Sequence, residues 1–382
     1  GQVDVLHLRM ADVGSLAAAD VARELGLPVV FTVAPDPHAA IQSMDLSGAL
    51  TRTGFGEVDQ REHFWFRTRL VQQLAGSAAH TVLFPRPELA RDMRGLVGIE
   101  IDSHPERHTI VAEGVDLEVI DRSVEAAALS IADDAGDAGV PEDRERMAPL
   151  LAMLEQLPPE RRGLPLVVSV GRLHRVKGMA SLVQAWVGGP LKDRANLLII
   201  GGDLAHPSLD EREQLDLIDA VVPADARMQH GLLLAGHRPN DVAARWLAAV
   251  RLGIEGLVAP DGVYVCASVK EEFGIALLEA MATGLTVVAP NGGGPATYVA
   301  DGDTGVLAAT WDVAHLGDAV GAALDLAAND DGGAVGNTRA DRARAMVEER
   351  FTIQAMAKAL SPVYRGVAQD EAELIRAAGA LA

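Results

Sequence analysis

The stretch EEFGIALLEAMATGLTVVAPNGGGP, Glu271 to Pro295, sets the reading of this 382-residue chain. Glu271 lies just before an apolar helix pattern and Glu279 lies on its second turn. The amides around Phe273 and Gly274 then fall at a helix N-terminus, where unpaired N–H groups and the positive dipole end favour an anion. Thr286 to Ala289 predicts a short buried strand. Asn291-Gly292-Gly293-Gly294-Pro295 follows it, a turn in which Gly293 and Gly294 let the backbone approach a ligand closely. A carboxylate beside an anion site is suited to accept hydrogen bonds from sugar hydroxyls. Together these point to a nucleotide sugar.

Taken singly, each piece has a bland reading: two surface carboxylates, or an ordinary turn. The order and close spacing of the pieces, on the elements their chemistry needs, carry the inference. The unit resembles the donor-site motif of the retaining glycosyltransferases with the GT-B fold, family 4. It is similar in particular to the sucrose synthase and sucrose-phosphate synthase branch, where a Glu, seven residues and a second Glu precede a GGPA turn. The resemblance implies that Glu271, with the amides of Phe273 and Gly274, contacts the transferred sugar, and that Glu279 holds the ribose diol. The family usually carries a Glu after GGPA; Thr297 stands there in this chain.

Two more cations complete the expected donor site. Gly171, Arg172 and Lys177 lie in GRLHRVKG, after a predicted strand and before a helix. Ligands bind at the carboxyl ends of parallel strands, and an Arg fork with a Lys point charge suits a diphosphate leaving group. Either residue alone reads equally well as a solvated surface cation; the match of the pair to the family pattern assigns both to the diphosphate. Arg175 reads as exposed. In Gly236-His237-Arg238-Pro239-Asn240, Arg238 is a candidate base contact, against a plain turn with Asn240 as N-cap.

The acceptor side is less defined. Relatives place a His after the second strand to touch the transferred sugar; here Ala34 holds that position and His38 lies further along Pro35-Asp36-Pro37-His38. His38 reads either as a displaced catalytic histidine or as a surface residue, with Asp36 as the alternative contact. Asp301-Gly302-Asp303 reads as a turn, and no metal or other cofactor is expected.

The formal charge of −21, without a Lys/Arg run, argues against nucleic acid and anionic membranes as partners. Cys266 is the only cysteine, so no intramolecular disulfide can form and a reducing, cytoplasmic setting fits. Its place in VYVCAS makes it a buried strand residue rather than a nucleophile. No apolar stretch approaches spanning length. The chain opens on Gly1 and runs almost at once into a strand pattern, whereas relatives place a further segment with a glycine-rich loop first. The expectation is an α/β protein with two Rossmann-like domains facing a cleft, the N-terminal one incomplete.

Strands are predicted at Val3 to Leu8, Val29 to Val33, Thr81 to Phe84 and Thr109 to Val111, then at Leu166 to Val170, Asn196 to Ile200, Leu232 to Ala235, Val263 to Ala267 and Thr286 to Ala289. Helical patterns separate them, including Phe64 to Leu74. Glu113-Gly114-Val115-Asp116 resembles the family's turn closing the N-terminal domain. Between Ser123 and Gly163, acidic residues, Ala and Pro suggest a linker with one helix, Met147 to Leu157. The expected division is 1–125, a linker at 126–163, a donor domain at 164–345, and helices at 346–382 returning to the N-terminal domain. The expected reaction is hexose transfer, preferably glucose from a UDP-sugar, to an acceptor hydroxyl. A nucleotide-sugar epimerase, a phosphorylase, and a donor-binding chain without transfer activity are the alternatives.

Overall fold

The computed structural model describes residues 3–34, 41, 44–46, 48, 50–131, 141–329 and 338–380, leaving aside the side chains of Leu96 and of residues 371–380. Two parallel sheets organise it. The first has four strands, β1 (Leu6–Leu8), β2 (Val29–Thr32), β3 (His80–Leu83) and β4 (His108–Ile110), in simple sequential order. The second has six: β5 (Leu166–Val170), β6 (Asn196–Ile200), β7 (Leu232–Gly236), β8 (Val263–Val265), β9 (Thr286–Pro290) and β10 (Gly305–Ala308). Its order is β10-β9-β8-β5-β6-β7, so the winding direction reverses between β5 and β8. A crevice opens beyond the carboxyl ends of strands at such a reversal, where ligands bind in open α/β sheets.

Sequence chemistry explains the strands. LVVSV and NLLII are near-continuous apolar runs, as strands covered on both faces require, and all but Val170 are buried. Helix Val13–Leu25 starts where Asp12 accepts from the Ser15 amide and stops at Gly26, in the left-handed conformation.

Two features differ from the sequence reading. β10 carries only GVLA, too short and too poor in β-branched residues to announce itself. The supposed linker is also more structured among the described residues: helices Leu117–Ile131 and Pro141–Glu155 lie in it, Pro141 standing at the start of the second with Glu142 and Asp143 in its first turn. Met147, Leu150 and Leu154 are buried in the same core as Trp246 and Leu278 of the six-stranded half. The helix expected at Met147 to Leu157 is thus present but starts earlier, at Pro141, and packs into the core rather than standing as part of a linker. Asp133 to Asp137 lie outside the described residues.

The chain then returns. Val115 and Phe351 are joined by a backbone hydrogen bond of 2.8 Å, and the helix Ile353–Ala380 packs Leu360, Val363 and Val367 against Val30, Val82 and Val111 of the first sheet. Tyr364 also meets Nδ1 of His7 at 2.7 Å. An aromatic cluster ties the halves: Phe273 lies 5.6 Å from Phe84 and 5.9 Å from both Tyr298 and Phe351. Among the described residues no helix is long and apolar enough to cross a membrane.

Candidate active site

A cavity of about 490 Å³ lies between the carboxyl ends of the two sheets. Its larger wall comes from the six-stranded half. After β5 the chain passes Gly171 and Arg172 and tightens into a single turn, Arg175–Lys177, closed by Gly178 with φ 66°. A Cβ on Gly178 would stand 2.0 Å from the Ala267 carbonyl oxygen, so only glycine lets this turn press against the chain leaving β8.

That packing delivers Lys177 to Glu271. Lys177 Nζ donates to Glu271 Oε2 at 2.7 Å, and the Ser268 hydroxyl donates to the same oxygen at 3.0 Å. The buried Cys266 thiol is 3.8 Å away. Oε1 of Glu271 accepts no hydrogen bond from a described residue. Burial alone would lower the Lys177 pKa, but the facing Glu271 outweighs it and holds the ammonium above its usual range. The Cys266 thiol is pushed up to about 12 by burial and by Glu271, so it stays protonated and is no nucleophile. Arg172 lines the same space, is exposed, and makes no ion pair with a described residue.

The helix Ile275–Thr283 begins at Gly274 with φ 95° and presents Gly274, Ile275 and Ala276 to the cavity. The first-turn amides of a helix lack intrahelical partners, so this end is disposed toward an anion. Glu279 lines the cavity too. Burial raises its carboxyl pKa, and its carboxylate accepts no hydrogen bond from a described residue. An unpaired carboxylate in such a place calls for an incoming donor. Phe273 lines the cavity too, with its ring in the buried aromatic cluster and its carbonyl accepting from the Tyr298 hydroxyl.

Several expected residues stand elsewhere. Gly293 and Gly294 do not line the cavity: added Cβ atoms would meet Glu271 O at 2.0 Å and Glu272 O at 2.5 Å. Their close approach is to the backbone of the Glu271 loop, sealed by the Gly294 amide donating to Glu272 O at 3.0 Å. The glycine run therefore supports the Glu271 loop from behind. Thr297 caps the same turn through its hydroxyl to Gly294 O at 2.7 Å. Arg238 turns away from the cavity, its guanidinium 5.2 Å from the Trp246 ring centroid, and borders a separate groove with Glu142 and Glu145. Arg175 is not solvated: it pairs with Glu62 of helix Phe55–Glu62, across to the first half. Asp303 is paired with Arg342, and Asp301 accepts from the Leu307 amide. His38 and Asp36 lie outside the described residues; Ala34 does line the cavity.

The first half supplies residues that sequence reasoning missed. Arg9 stands just beyond β1 and Glu113 beyond β4, 2.6 Å apart and both on the cavity wall. Burial raises the Glu113 carboxyl pKa, Arg9 opposes that, and Glu271 across the space adds to it. The signal available was the strand-end rule, applied only to the second sheet. Asn240 also faces the cavity, at the start of helix Asn240–Leu252.

Two parallel α/β sheets facing one another across this cavity are the GT-B fold. Sucrose-phosphate synthase from Thermosynechococcus elongatus superposes with a TM-score of 0.65 at 19% identity, covering 95% of this chain and 73% of that one. The Anabaena protein HepE, solved in complex with UDP and glucose, gives 0.61 at 16% identity over 94% and 77%. Residues 164–325 match the family model described as glycosyl transferases group 1. Rice (Oryza sativa subsp. japonica) sucrose synthase 2 is 35% identical over 153 residues, 37% of this chain and 17% of its own length. A sucrose synthase of Denitrovibrio acetiphilus is 34% identical over 153 residues, 37% of this chain and 18% of that protein. The chain thus spans less than a fifth of the length of these relatives.

Proposed function

We propose that the protein is a hexosyltransferase that moves a sugar from a nucleoside diphosphate sugar, by preference UDP-glucose, to an acceptor hydroxyl on a sugar or sugar phosphate, with retention at the anomeric carbon. The observation that carries this reading is the convergence of Arg172, Lys177 and the helix start at Gly274 on one cavity wall that also bears Glu271 and Glu279. Arg172 and Lys177 with the helix amides neutralise the departing diphosphate, the kind of fixed electrostatic stabilisation that lowers such barriers. Glu279 takes the ribose diol, and the free oxygen of Glu271 takes a hydroxyl of the transferred sugar. Retention rests on the family resemblance, in which the acceptor attacks from the leaving group's face with help from a phosphate oxygen. The reaction needs no cofactor beyond the donor in this reading, since the chain's own cations meet the diphosphate. A nucleotide-sugar substrate and a single cysteine fit the cytoplasm. UDP and UDP-glucose are supported by the names of HepE complexes with these ligands.

Thermal shifts with UDP, ADP, GDP and their glucose conjugates test it, because a ligand selective for the native state raises stability. The expected result is a rise with the UDP pair, and Lys177→Ala weakening UDP by about 1–3 kcal/mol, the scale of a charge-assisted hydrogen bond. No shift with any nucleotide would sink the reading.

A further inference from the structure

The donor reading uses one wall of the cavity and leaves the charged pair on the opposite wall without a role. Arg9 donates from Nη2 to Glu113 Oε1, and both residues face the cavity from just beyond their strands. The Glu113 side chain keeps only 17% of its surface exposed, against 51% for Arg9. Shielding a carboxylate this far is costly unless it is hydrogen-bonded, and the one contact satisfies a single oxygen. Oε2 of Glu113 accepts from no described residue, and Nε and Nη1 of Arg9 donate to none. One acceptor and unused donors therefore stand side by side.

Such a pair matches neighbouring hydroxyls on a sugar ring: one donates to the carboxylate while the adjacent oxygen accepts from the guanidinium. A lone alcohol engages half of it. Position adds to the argument, since the Glu113 carboxylate feels Glu271 across the same space. With a donor sugar at Glu271, a second ring at Glu113 lies beside it.

We infer that Arg9 and Glu113 form an acceptor subsite that grips a vicinal diol of a sugar. Glu113 makes the contact, and Arg9 holds its carboxylate in place while offering a second hydrogen bond. The inference rests on the donor reading of the opposite wall.

Saturation-transfer NMR on the UDP-saturated protein tests it, with D-glucose, D-fructose and their 6-phosphates as probes and n-propanol as the diol-free control. At least one sugar should bind and propanol should not. Glu113→Gln and Arg9→Gln should each weaken that sugar tenfold or more, with the UDP dissociation constant within twofold of the unaltered protein. Arg9→Lys should recover part of the loss. Sugar affinity unchanged in Glu113→Gln overturns the subsite, as does UDP-saturated protein that binds no sugar. Loss of UDP binding in Glu113→Gln moves the residue to the donor and also overturns it. Unaltered protein that fails to bind UDP is a different failure, one that removes the donor reading and the subsite with it.

Discussion

Lys177 and Glu271 satisfy each other before any ligand arrives, and this changes what each is expected to do. A diphosphate must compete with Glu271 for the ammonium 2.7 Å away. Glu271→Gln, which removes the competing charge, should therefore tighten UDP binding by about 1 kcal/mol, the scale of a partly exposed ion pair, while depressing transfer from UDP-glucose. Calorimetry reads the first and product formation the second; a weaker UDP complex would show that Glu271 touches the nucleotide rather than the sugar. Glu279→Ala should weaken UDP and UDP-glucose alike, by about 1–3 kcal/mol if a buried diol loses its acceptor. Glu279 also carries a signature in pH. Its folded-state pKa is raised by burial, so the stability it contributes is full below the ordinary 4.5 and lost as pH rises through the folded value. Glu279→Gln should accordingly be more stable than the parent at pH 7, with the difference closing as pH falls below 4.5. A melting-temperature difference that is flat across that range would remove burial as the cause.

At the level of elements, the Glu271 loop is held by a backbone fit. A Cβ on Gly293 would collide with Glu271 O, and no flexible side chain is there to give way. Gly293→Ala should destabilise the fold by about 1–3 kcal/mol, the usual cost of overpacking and of positive φ, and should weaken UDP-glucose by displacing Glu271. An unchanged denaturation midpoint would show that the loops are not locked together. The sequence revealed much at this scale and misled in a consistent way. β5 and β6 could be read to the residue because a buried parallel strand is an unbroken apolar run. Lys177, Glu271 and Glu279 were legible because chemistry and spacing coincided on strand ends and a helix start. Gly293, Gly294 and Arg238 were read toward a ligand because a glycine or an arginine in a loop does not declare what it faces. Their partners, a carbonyl twenty-odd residues upstream in one case and the Trp246 ring in another, exist only once the chain is folded. Arg9 and Glu113 were invisible for the same reason: 104 positions separate them, and only the four-stranded parallel sheet, which sets the carboxyl ends of its edge strands β1 and β4 on one side, brings them together.

Across the whole molecule, the two halves are joined by more than the covalent chain. Arg175, in the turn that carries Lys177, pairs with Glu62 of the opposite half, and Val176 packs with Met44, Leu50 and Phe64. Burial would raise the Glu62 carboxyl pKa, but Arg175 and Arg61 more than offset it and leave it below the usual 4.5. Its stabilising contribution is then present above 4.5 and lost as pH falls through the lower folded value. Glu62→Gln should lower the melting temperature by about 1–3 °C at neutral pH, as 0.5–1 kcal/mol does in a domain of this size, and the gap should close in acid. The opposite pH trends of Glu62→Gln and Glu279→Gln provide a mutual control.

The aromatic cluster has a consequence for recombination between relatives. Phe273 directly precedes Gly274, the N-cap of helix Ile275–Thr283, yet its ring rests on Phe84 from one half and Phe351 from the returning segment. The cavity wall that starts at Gly274 is consequently not a cassette. A chimera that exchanges the first half for that of a relative inherits a foreign residue against Phe273, and the error is transmitted straight to the amides at Gly274. Hybrids in which positions 84 and 351 travel with the donor domain should keep nucleotide affinity, and hybrids that split the three rings should lose it.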